Sequence, residues 1–181
     1  MNLRIPGPIP VDDEILTSMS SQMINHRGPE YKELLYSVTD RLKKVFETTS
    51  EVFILTASGT GGMEAAIVNT LSPADKVINA SCGSFGERFG SIASIYGADV
   101  IELKFPYGKA VDLDRLRKTL QENPDTKAVT VTHNETSTGV VNNIEKISEV
   151  VKGEFESLLL VDGVSSVSSI PVRTDEWNCD V

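Results

Sequence analysis

Leu158-Leu-Leu-Val-Asp162 decides how the chain is built: four apolar residues without alternation, closed by a carboxylate. A strand open to water on one side alternates apolar and polar residues. An unbroken apolar run marks a strand covered on both faces, as in a parallel sheet. Working back from it, Ala128-Val-Thr-Val-Thr132 is a β-branched run, and Val100-Ile-Glu-Leu103, Val77-Ile-Asn-Ala80 and Val52-Phe-Ile-Leu55 are further short strands. Helical spacing fills the gaps: Met63, Ala66, Ile67 and Leu71; then Phe89, Ile92, Ala93 and Tyr96, which Gly97 ends; then Leu113, Leu116 and Leu120 behind a capping Asp112; then Ile144, Ile147, Val150 and Val151. Repeated strand-helix-strand units imply right-handed crossovers and a three-layer α/β domain around a mostly parallel sheet.

Upstream, Tyr31, Leu34, Leu35, Val38, Leu42, Val45 and Phe46 follow Gly28-Pro29 at the spacing of one amphipathic helix face. Residues 1–20 hold prolines at 6, 8 and 10 and read as an extended arm lying on another surface, with 21–181 as the domain proper. At the other end, Cys179-Asp-Val181 has the look of one more strand beginning.

The composition narrows the possibilities. With 17 Lys+Arg against 26 Asp+Glu the formal charge is −9, and no basic block is present, so nucleic acid is not the expected partner. No apolar run reaches the roughly 20 residues of a membrane helix, and prolines stand where a signal peptide would be apolar, so a cytoplasmic chain without a membrane partner is expected. Two cysteines, Cys82 and Cys179, make neither a disulfide scaffold nor a zinc site, and no metal is expected.

Ligands of open parallel sheets bind beyond the carboxyl ends of the strands, so the residues following each apolar run are the candidates. Ser58-Gly59-Thr60-Gly61-Gly62 opens a helix with bare N–H groups and hydroxyls, which suits a phosphate, or simply makes a tight turn. Phe85 sits among glycines, where its ring either stacks on a planar ligand or covers the next helix. His133-Asn-Glu-Thr-Ser-Thr-Gly139 is dense in hydrogen-bonding groups. Asp162, costly to bury alone, calls for a helix end, an Arg or a protonated ring nitrogen, and Val164 falls on its side of an extended segment. A phosphorylated, planar, protonatable heterocycle fits the set, pyridoxal 5′-phosphate being the common one.

The same segments carry a family resemblance. Pro6-Gly-Pro8, His26-Arg-Gly-Pro-Glu30, Ser58-Gly-Thr-Gly-Gly-Met-Glu-Ala-Ala66, Gly83-Ser-Phe-Gly-Glu-Arg88, His133-Asn-Glu-Thr-Ser-Thr-Gly-Val140 and Val161-Asp-Gly-Val-Ser-Ser166 stand in family order. The chain thereby resembles the class V pyridoxal-phosphate aminotransferases of fold type I, the alanine–glyoxylate and serine–pyruvate group. The resemblance implies that Gly59 and Thr60 bind the cofactor phosphate, with Ser58 shaping the turn. Phe85 would stack on the ring and Val164 pack on its opposite face. Thr136 would hydrogen-bond the 3-oxygen, and Asp162 would pair with the ring nitrogen so that the ring works as an electron sink. Gly7, His26 and Arg27 would lie on the substrate side.

The activity implied is transfer of an amino group from serine or alanine to glyoxylate or pyruvate, by a homodimer in the full-length form. The family's Schiff-base Lys and substrate-carboxylate Arg have no counterpart in these 181 residues. The chain therefore corresponds to the amino-terminal half of such an aminotransferase, with 21–181 a partial large domain, and is expected to be inactive alone. The other reading is a naturally truncated, non-catalytic cofactor-binding or interaction module. The resemblance also implies that Val52–Leu55 is a strand whose partner follows the missing Lys, leaving apolar surface exposed.

Overall fold

The computed structural model describes residues 3–181; Met1 and Asn2 of the expected arm lie outside the described residues. The elements run α1 (Asp13–Met19), α2 (Pro29–Val45), α3 (Gly59–Thr70), β1 (Lys76–Ser81), α4 (Ser84–Ile95) and β2 (Asp99–Lys104). They continue with α5 (Leu113–Glu122), β3 (Ala128–Thr132), β4 (Asn134–Glu135), β5 (Val140–Val141), α6 (Ile144–Val151) and β6 (Leu158–Asp162).

Four strands pair in parallel in the order β2-β1-β3-β6. Opposite faces of each strand feed opposite layers. Ala128 and Leu160 meet Met63, Ile67, Phe89 and Ile92 of α3 and α4 on one side. Val129, Val131 and Leu159 meet Leu116, Leu120, Ile144 and Ile147 of α5 and α6 on the other. The expected three-layer α/β fold is therefore present. Full burial of side chains such as Leu159 and Leu160 contributes about 1.5–3 kcal/mol each.

Local chemistry sets the element ends. Asp112 accepts a hydrogen bond from the Arg115 N–H at 2.9 Å, capping α5, and Gly97 takes φ +86° after α4. α4 lies unusually close to the sheet: a Cβ on Gly90 would stand 2.3 Å from Asn79 Nδ2. Beneath it Asn79 accepts from the Thr130 hydroxyl at 2.8 Å and donates to Glu102 at 2.9 Å, so this buried polar row is fully partnered.

Two local expectations need correction. Val52–Leu55 is not a strand: its backbone pairs with no sheet strand, and Phe53 is 82% exposed. The flank of β6 is already occupied, because Val161 N–H donates to the Val181 carbonyl at 2.8 Å and Asp180 N–H to Leu159 at 3.0 Å. An apolar run without a neighbouring strand to satisfy its N–H and C=O groups stays out of the sheet. Cys179–Val181 thus lies along β6 through these two backbone hydrogen bonds, without forming the further strand its sequence suggested. The second correction concerns the arm, in which residues 13–19 form helix α1 rather than extended chain. Neither α1 nor α2 buries a residue; Ile15, Leu16, Leu34 and Leu35 are all exposed. A groove of about 590 Å³ beside β6, lined by residues such as Val52, Phe53, Leu55, Val161, Trp177 and Val181, adds to this open apolar surface.

Candidate functional site

The carboxyl ends of β1, β3 and β6 bring the candidates together. Parallel register sets Thr132 beside Asp162, and the Thr132 hydroxyl donates to Asp162 Oδ2 at 3.3 Å. The other oxygen accepts from the Val164 N–H at 3.0 Å. Asp162 is buried and takes part in no ion pair among the described residues, so its charged form has two neutral donors and no cation. Desolvation, only partly offset by those donors, pushes its pKa above the usual carboxylate range, and the nearby charge of Glu135 pushes the same way. Such a group gains by meeting a proton or a cation.

Val164 reaches the first turn of α3. A Cβ on Gly59 would lie 2.7 Å from Val164 Cγ2, so the two residues approach closely and the exposed Val164 side chain would have to yield to a larger residue there. The N-cap of α3 is Ser58, whose side chain makes no capping bond. The first N–H groups of this helix have no intrahelical acceptor and stand at the positive end of its dipole, as an anion needs. The glycine cluster is therefore an open helix start, and Asp162, Val164, Ser58, Gly59 and Thr60 share one neighbourhood.

α4 brings Phe85 alongside. Arg88 donates from Nη1 to Thr60 Oγ1 at 3.0 Å, and its guanidinium lies 5.1 Å over the Phe85 ring. Arg88 thus joins the first turns of two helices, a part that the sequence did not reveal. The motif that contains it was recognised, but an exposed Arg on a helix carries no signal of what it will cross to.

The hairpin β4–β5 supplies the rest. Its strands are antiparallel, Glu135 opposite Val140, and Gly139 takes φ +69° in the turn. Thr136 Oγ1 donates to Ser165 Oγ at 2.7 Å; Ser165 in turn donates to the Asn134 carbonyl at 2.8 Å and accepts from Asn134 Nδ2 at 2.8 Å. Because the single Ser165 proton is committed to a carbonyl, Thr136 must be the donor between the two hydroxyls. In this arrangement Thr136 has only lone pairs left to offer.

His133 faces away from this network. Its ring stands edge-on to Trp177 at 5.8 Å, Nδ1 is buried without a partner, and burial pushes its pKa below the usual value. Gly7, His26 and Arg27 are exposed and make no side-chain hydrogen bond to the residues just described. The geometry gathers a free helix start, an aromatic ring, hydroxyls and a desolvated carboxylate around one spot. A Cβ at Gly59 would fill the space against Val164, and Asp162 suits an N–H⁺, so the residues present fit a phosphorylated, protonatable ring.

The model of the class-V aminotransferase family matches residues 14–181. The chain belongs to that family. It is 42% identical over 179 residues to an uncharacterized aminotransferase of Methanocaldococcus jannaschii, covering 99% of this chain and 46% of that protein. It is 40% identical over 181 residues to a protein of Synechococcus called the small subunit of a soluble hydrogenase, covering 99% and 47%. An L-aspartate–glyoxylate aminotransferase of Paracoccus denitrificans is 38% identical over 181 residues, covering 98% and 46%. Among solved structures, alanine–glyoxylate aminotransferase from Nostoc superposes with a TM-score of 0.93 at 33% identity, over 97% of this chain and 46% of that one. The chain thus spans about half the length of the curated relatives it matches. Like its family it is of enzyme lineage, and among the described residues no helix is long and apolar enough to cross a membrane.

Proposed function

We propose that these residues form the pyridoxal-phosphate cradle of an aminotransferase that moves an amino group from a small amino acid, serine or alanine, to glyoxylate or pyruvate. The observation that carries the reading is Asp162, a buried carboxylate with two neutral donors and no cation, beside the open start of α3. The α3 N–H groups, with the Thr60 hydroxyl, hold the phosphate. Phe85 lies against one ring face and Val164 against the other, and Asp162 accepts the ring N–H. Thr136 faces the 3-oxygen as an acceptor. Gly7, in an arm spanning 1–20, and His26 and Arg27, in the part of the large domain spanning 21–181, belong to the substrate side.

When bound, the cofactor supplies a ring that draws electrons from the amino acid; the residues here orient it and keep its nitrogen protonated. The Schiff-base Lys belongs to the part of the family chain that these residues do not span, so the 181 residues alone are expected to bind rather than to catalyse. The whole protein would act in the cytoplasm as a homodimer. In the native protein Asp162→Ala lowers transamination by on the order of 10²-fold or more, since a charge partner of the reacting group is lost. Full activity of that variant would overturn the assignment.

A further inference from the structure

Glu135 is completely buried and forms no ion pair among the described residues, yet its carboxylate has four donors. Oε1 accepts from the Phe85 N–H at 3.3 Å, the Ser137 N–H at 3.1 Å and the Ser137 hydroxyl at 2.6 Å; Oε2 accepts from the Gly86 N–H at 2.9 Å. Phe85 and Gly86 belong to the first turn of α4, whose N–H groups have no acceptor within the helix. Ser84, the first residue of that turn, donates to Ser137 Oγ at 3.0 Å. The hairpin therefore caps α4 from outside, and the positive end of the helix dipole sustains the buried charge. The fit leaves no room: a Cβ on Gly83 would lie 2.4 Å from Glu135 Cγ.

Two consequences reach the site. The turn held by Glu135 carries Phe85, and the Phe85 ring carries Arg88, which reaches Thr60. The Glu135 charge also acts on Asp162. We propose that Glu135 is a positioning residue for the cofactor: it clamps the first turn of α4 so that Phe85 covers the ring. This rests on the pyridoxal-phosphate reading. The other titratable groups about this pair are Cys82, whose thiol is raised by burial and further by Glu135, and His133, which is turned toward Trp177.

The test uses the protein freed of cofactor and titrated with pyridoxamine 5′-phosphate across pH, together with amide hydrogen exchange at Phe85 and Gly86. Glu135→Gln keeps the shape but removes the charge and sets an amide N–H₂ against backbone donors. Exchange at both amides is expected to rise, and affinity near neutral pH to fall, each by about tenfold or more. Removing a like charge lets Asp162 ionise at lower pH, so the acid limb of the affinity profile moves down in pH; a role limited to stability would not move it. Glu135→Asp keeps the charge and loses reach: affinity falls while the acid limb stays. Unchanged exchange with an unmoved acid limb in Glu135→Gln overturns the proposal. A wild-type protein that binds no pyridoxamine 5′-phosphate overturns the cofactor reading itself, and this inference with it.

Discussion

Two helices, α3 and α4, start within reach of a single side chain, Arg88, and their first turns are finished in opposite ways. At α4 the three leading N–H groups are taken by Ser137 and Glu135. At α3 the Ser58 side chain caps nothing. Equal dipoles thus have unequal availability: one positive end is spent on holding the fold, and the other remains for an anion. Glycine serves both, pressed against Glu135 at Gly83 and against Val164 at Gly59.

The largest effect expected from that difference is on stability. Gly83→Ala drives a Cβ to 2.4 Å from Glu135 Cγ, in a place with no exit, and should cost about 1–3 kcal/mol in thermal or denaturant unfolding. Gly59→Ala meets Val164, which is 73% exposed and can yield. Its cost should appear instead as about a tenfold loss of pyridoxal 5′-phosphate affinity, roughly 1.4 kcal/mol, with little change in unfolding. If the two glycines behave alike, the contrast between closed and open ends is broken. Phe85→Ala should remove about 0.5–1.5 kcal/mol of cofactor affinity, the stacking share; unchanged affinity in a calorimetric titration would leave the ring as a cover for α4 only.

The smallest effect is a slope. Desolvation raises the Asp162 pKa in the folded, cofactor-free protein, so the folded state holds that proton more tightly than the unfolded chain. The stability it contributes is complete below the ordinary Asp value of about 3.9 and is lost as pH rises through the raised one. Denaturant unfolding of the wild type against Asp162→Asn should therefore diverge upward from about pH 4, with the wild type losing ground; a constant difference would mean that Asp162 is not desolvated.

Most of the sheet was legible in the sequence because its strands are buried on both faces. The β-branched run Ala128–Thr132 and the unbroken apolar run closing on Asp162 need no outside partner to be recognised. Val52–Leu55 has the same composition but no strand beside it, and composition does not carry the identity of a neighbour. The α2 periodicity correctly gave a helix, though its apolar face lies uncovered.

Around the candidate site, the placement of Ser58, Gly59 and Thr60 at a helix start and of Asp162 and Val164 at and beyond a strand end was readable because these are local features. Glu135, Ser165 and Arg88 were not. Their roles depend on contacts across 50, 29 and 28 positions of sequence, made by a two-residue hairpin strand and two side chains whose reach no pattern encodes.

The central claim is that the open start of α3 and the carboxylate of Asp162 hold the two ends of one ligand. A crystal structure of the protein with pyridoxal 5′-phosphate tests it most directly. The account predicts the phosphate at the N–H groups of Gly59 and Thr60 and the ring nitrogen facing Asp162, with Glu135 still closing α4. A phosphate bound elsewhere, or a ring nitrogen turned away from Asp162, would contradict it.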